Sequence, residues 1–130
     1  MRLFVEMLRE RVGSPVSLAS MARDLQVSPT TLGRYLGILE TLHIAFVVRP
    51  FHRNIARALL KEPKVYFYDT GLVKGDEGVR FENACANMLL TEVQRVRDAE
   101  GKEASLGYIR DKEGREIDFT QRLAFAHQLL

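Results

Sequence analysis

The sequence predicts an α+β fold: a winged helix-turn-helix over residues 1–73, then a helix and a β-hairpin within residues 79–130. Three observations carry this reading. Residues 17–42, SLASMARDLQVSPTTLGRYLGILETL, have the pattern of two helices joined by a tight turn. Two runs rich in strand formers follow, HIAFVVRPF at 43–51 and KVYFYD at 64–69. A long amphipathic stretch and two short strand-like runs then occupy the C-terminal part.

Each element has a local cause. Residues 2–12 place Phe4, Met7, Leu8 and Val12 on one side of a helix, and Gly13-Ser14-Pro15 ends it. Ser17 is a good N-cap for a second helix, with Leu18, Met21, Ala22 and Leu25 at helical spacing. Gln26-Val27 forms the turn, with Val27 expected to face inward. Ser28 caps the third helix and Pro29 starts it, where a missing N–H is harmless. Leu32, Tyr35, Leu36, Leu39 and Leu42 form its buried stripe, while Thr30, Thr31, Arg34, Ile38 and Thr41 lie opposite. Gly33 and Gly37 are poor helix residues that either let a neighbouring backbone approach or only weaken the helix. The two strand runs make a winged helix if they pair.

The segment between those strands is long and helix-prone for a wing tip. It carries Arg53, Arg57 and Lys61 at four-residue steps, which a short helix would align on one face. With Arg49 and Lys64, and with His52 in addition, this makes a local basic patch against a single Glu62. A phosphate-binding role and a solvated or protein-facing surface explain it equally well. LVKGDEG at 72–78 is a joint. A helix is expected over 79–97, with Phe81, Ala84, Cys85, Met88, Leu89, Glu92 and Val96 inward. Residues 98–103 read as a loop, and 106–110 and 115–119 as a hairpin turning at 112–114. The tail, 121–130, is ambiguous and mildly helical.

Composition bounds the function. Hydrophobic residues at 46% and charged residues at 28% suit a soluble globular protein of one ordinary or two very small domains. The net charge of +2 is too small for a general polycation, so nucleic-acid binding needs a local patch. Cys85 is alone, which excludes an internal disulfide and a multi-cysteine zinc site, and its helix position suggests a packed thiol. His43, His52 and His127 are too scattered for a metal trio. No apolar run is long enough for a membrane span, and MRLFVEML lacks the features of an export signal. A cytoplasmic location without membrane partners is expected.

The combination of SPVSLASMARDLQVSPTTLGRYLGILE, KVYFYDTGL, VRFENACANML and REIDF resembles a family. It is a domain-of-unknown-function family at the C-terminus of prokaryotic AAA+-type P-loop ATPases. The resemblance spans roughly residues 3–120. It implies a winged helix followed by a restriction-endonuclease-like, PD-(D/E)xK segment, here partial, and a longer parent protein that uses ATP and magnesium. No Walker A loop, Gly-x-x-x-x-Gly-Lys-Ser/Thr, occurs in this sequence.

In nucleases of that kind a helix Glu, a strand Asp and a following Glu-x-Lys surround magnesium. The resemblance puts Glu82 and Asp118 at the first two positions. No Lys follows Asp118, so the set is degenerate and no catalytic or metal-binding residue is assigned. The plain readings are a helix N-terminal charge for Glu82 and an exposed strand residue, or a partner of Arg115, for Asp118. The leading expectation is a non-catalytic double-stranded-DNA-binding module using Thr30, Thr31, Arg34, Arg49, Arg53, Arg57, Lys61 and Lys64. The alternatives are a protein-docking module, with the ATPase domain of the parent chain as partner, and a metal-dependent nuclease domain incomplete in this chain. An open sheet edge near 115–120 would favour a homo-oligomer.

Overall fold

The computed structural model describes residues 1–50, 61–101, 103–110 and 116–124, and its architecture is mixed α+β. Three helices come first: α1 (Arg2–Arg9), α2 (Leu18–Leu25) and α3 (Pro29–Thr41). Strands β1 (Ala45–Pro50) and β2 (Lys64–Phe67), a 3-10 turn (Thr70–Leu72) and the long helix α4 (Glu77–Glu100) follow. Strands β3 (Glu103–Arg110) and β4 (Glu116–Ala124) complete it. The hydrogen-bonded strand order is β2-β1-β3-β4.

The chain divides into two compact units. The first comprises Met1–Val47 and Glu62–Ala84. Its core is built from Phe4 and Leu8 of α1, Met21 and Ala22 of α2, Leu32, Leu36 and Leu39 of α3, and Val65, Tyr66 and Phe67 of β2. The helical members are positions that helical spacing selects, and β2 is buried along its whole length, so burial of apolar area explains the packing. The caps form as their sequences require. Ser17 Oγ accepts from the Ser20 N–H at 3.2 Å, and Ser28 Oγ accepts from the Thr31 N–H at 3.1 Å. The segment after α1 lies along β2, with the Val16 N–H donating to the Pro63 carbonyl at 2.9 Å. The end of α1 holds the chain before α4: Arg9 Nε donates to the Leu72 carbonyl at 2.7 Å, and Lys74 Nζ pairs with Glu6 at 2.7 Å. Those two cations hold the Glu6 carboxyl below the usual carboxylate range, the Lys74 hydrogen bond first.

The second unit comprises Val48–Lys61 and Cys85–Leu130. The end of β1 runs parallel to β3, with Arg49 opposite Gly107 and Pro50 opposite Tyr108. Strands β3 and β4 are antiparallel. Gly107 faces Thr120 and Ile109 faces Ile117, so Tyr108 stands opposite both Asp118 and Phe119, a β-bulge with the extra residue in β4. Val93 and Val96 of α4 pack with Leu106.

Several expectations are corrected. Helix α4 starts at Glu77, with Asp76 Oδ1 accepting from the Val79 N–H at 2.9 Å. Its buried positions are Asn83, Ala86, Val93 and Val96, while Phe81 is 70% and Met88 72% exposed. The expected stripe was rotated because a polar residue, Asn83, sets the phase. Val27 is 37% and Leu42 62% exposed, as both lie where the chain leaves a helix and turns at the surface. Residues 121–124 continue β4 instead of forming a helix, because they pair with β3 from Leu106 to Glu103. The expected wing-tip residues 53–60, the hairpin turn at 112–114 and the tail beyond 124 lie outside the described residues.

Candidate functional site

The outer face of α3 is open to solvent. Thr30, Gly33, Arg34, Gly37, Ile38 and Thr41 are all exposed. A Cβ added at Gly33 or Gly37 would meet nothing within 4 Å, so no neighbour in the described structure needs either glycine. Arg34, Gly37, Ile38, Thr41 and Leu42 line a shallow depression of about 510 Å³. Thr41 Oγ1 donates to the Gly37 carbonyl at 2.9 Å, which ties up its proton. The surface therefore offers one guanidinium, two bare stretches of helix backbone and the apolar side chains of Ile38 and Leu42.

The DNA-contact residues expected from sequence distribute unevenly. Thr30 and Arg34 stand exposed on α3. Thr31 is half-buried, and its hydroxyl lies 2.8 Å from Ser28 Oγ, so it serves the helix cap. Arg49 is half-buried at the end of β1, and Lys61 is exposed. Lys64 is 1% exposed and engaged within the protein, which removes it from the surface basic patch: its place in β2 puts it against the 13–16 segment, Pro15 bridging to it. Arg53 and Arg57 lie outside the described residues.

Glu82, the degenerate nuclease-like position, has a defined structural environment. It sits well inside α4, beyond the first turn where the helix dipole favours an acid, so its expected role as an N-terminal charge is replaced. Its Oε2 accepts from the Tyr66 hydroxyl at 2.8 Å. The carboxylate lies over Gly13, which has φ +78°, and a Cβ there would collide with Oε2. Next to it, buried Asn83 acts as a short strand partner for β2. Its Oδ1 accepts from the Phe67 N–H at 2.9 Å, and its Nδ2 donates to the Phe67 carbonyl at 2.9 Å and to Thr70 Oγ1 at 3.0 Å. Sequence reasoning missed Asn83, Tyr66 and Gly13. A polar residue in an otherwise apolar helical stripe was the available signal for Asn83.

Asp118 belongs to the bulged part of β4 in the second unit. Among the described residues, no three His, Cys, Asp or Glu side chains come together to hold a metal ion. No helix among them is long and apolar enough to cross a membrane.

The family match covers α3 and most of the first unit. Residues 1–79 match a domain of unknown function, DUF8612. The chain belongs to that family. Two mycobacterial proteins are similar to it: the uncharacterized protein Rv2008c of Mycobacterium tuberculosis and the uncharacterized protein Mb2031c of Mycobacterium bovis. Each is 37% identical over 73 residues, which is 56% of this chain but 17% of the relative. The DUF8612 chain thus matches only a small part of much longer proteins. No solved structure matches it.

Proposed function

We propose that this DUF8612 chain is a non-catalytic DNA-binding module from the C-terminal region of an AAA+-type ATPase. In this reading residues 1–73 are a winged helix-turn-helix, and α3 is the helix that enters the major groove. The observation that carries it is the geometry of α2 and α3: capped, tightly joined helices whose second member turns Thr30 and Arg34 to solvent from its N-terminal half. Arg34, Lys61 and the cations at 53 and 57 supply the phosphate contacts, since a net charge of +2 leaves binding to a local patch. Residues 79–130 are then a partial PD-(D/E)xK-like segment in which Glu82 is a structural acid. ATP and magnesium belong to the parent protein.

Fluorescence anisotropy with a labelled duplex tests the proposal. Binding should weaken as salt rises. Arg34→Ala should lower affinity, and each phosphate contact removed by changing Arg53, Arg57 and Lys61 to Ala should reduce the salt slope by about one. A second reading is favoured by Ile38 and Leu42, 48% and 62% exposed on the C-terminal half of α3. They suit a protein-docking face, with the ATPase module as partner. Absence of duplex binding at low salt would select that reading.

A further inference from the structure

Helix α4 is one unbroken helix with two distinct faces. Its buried residues, Asn83, Ala86, Val93 and Val96, lie on one side. On the other side Glu77, Phe81, Ala84, Met88, Thr91 and Arg95 follow one another at alternating steps of four and three residues. That is the spacing of a seam that faces a second helix. All are exposed except Ala84, which is half-buried, and the two large apolar members are Phe81 and Met88.

Two exposed apolar side chains are ordinary on their own. Their order along the seam singles them out, because the seam complements itself when turned end for end at the level of Ala86. Glu77 and Arg95 lie nine residues to either side of that level, Phe81 and Thr91 five, and Ala84 and Met88 two. In an antiparallel pair of α4 helices the acid therefore meets the base, and each large apolar side chain meets a small one. A parallel pair would set Glu77 against Glu77 and Arg95 against Arg95. Thr91 Oγ1 already donates to the Asn87 carbonyl at 2.9 Å, so the seam closes over it without stranding the hydroxyl proton. Arg95 already pairs with Glu92 at 2.6 Å, and both stay about half exposed. A second copy's Glu77 thus joins an existing ion pair, which selects the direction of pairing more than it adds affinity.

We propose that α4 is the contact between two copies of this chain, pairing antiparallel with the same helix of the second copy to form a two-fold dimer. A face that complements itself makes a closed contact of this kind. The proposal is independent of the DNA-binding reading. The seam is about 27 Å long, short for a specific interface, so the dimer is weak and forms at about 10–100 μM chain.

Sedimentation equilibrium of the whole chain, at concentrations spanning that range, tests the proposal. Wild type should pass from monomer to dimer. Met88→Glu changes an exposed position, so the dilute protein should keep its far-UV spectrum and melting temperature. Its dissociation constant should rise about ten-fold, because a charge from each copy enters the middle of the seam. Disulfide trapping in a Cys85→Ser background reads the direction of pairing. Glu77→Cys and Arg95→Cys proteins, mixed and mildly oxidised, should give a covalent dimer, and neither should do so alone. Wild type that stays monomeric throughout overturns the proposal and leaves the face to a different protein. A dimer unchanged by Met88→Glu overturns it in favour of another surface, such as the edge of the sheet at β4. Trapping by one variant alone as readily as by the mixture overturns the antiparallel pairing, and so does a mixture that gives no covalent dimer.

Discussion

Replacing Asn83 by alanine should destabilise the first unit more than any surface change in this chain. Asn83 is fully buried, and its side chain hydrogen-bonds to both backbone groups of Phe67 and to Thr70 Oγ1, at 2.9, 2.9 and 3.0 Å. Each is worth about 1 kcal/mol net, and a buried Phe67 N–H or C=O left without its partner adds about 1–3 kcal/mol. Alanine also leaves a small void that α4 and β2 must collapse around. The expected loss is about 4–6 kcal/mol, a large part of the roughly 5–15 kcal/mol that holds an ordinary domain together. The chain has no tryptophan, so urea unfolding is followed by far-UV circular dichroism or tyrosine emission. A loss below about 1 kcal/mol would refute the claim that Asn83 fastens α4 to β2.

Other perturbations follow from the same geometry. Gly13→Ala combines a left-handed backbone with a collision against the Glu82 carboxylate, and should cost about 2–3 kcal/mol in the same urea experiment as the Glu82–Tyr66 bond is displaced. Tyr68 has its pKa raised, by burial first and by the Glu40 charge second. The folded state therefore favours the neutral phenol: that stabilisation is full below the unfolded tyrosine value near about pH 10 and is lost as pH rises through the higher folded value. Melting temperature should fall across that alkaline window, and Tyr68→Phe should flatten the fall. Glu6 is shifted the other way, so Lys74→Ala should remove a small acid-side dependence, with stability lost as pH falls through the depressed folded value.

The readable parts of this chain were those in which one residue type has one physical use. Ser17 and Ser28 before apolar periodic runs gave the starts of α2 and α3, and Lys64–Phe67 read as a strand from its aromatic and β-branched content. Burial on α4 was not readable by hydrophobicity, because Asn83 determines which face turns inward and Phe81 and Met88 are left outside. Lys64 read as a surface cation, since charge in a strand gives no sign of which side of the sheet it occupies. The left-handed cap at Gln26 was equally hidden: the turn was recognised, but nothing in its composition announces a left-handed glutamine.

The most direct test of the account is an amide chemical-shift map of the isotope-labelled chain titrated with duplex DNA. The account predicts that the shifts concentrate on the exposed residues of α3, from Thr30 to Thr41, and that they shrink as salt is raised. Shifts confined to the Phe81 and Met88 face of α4, or none at low salt, would contradict it.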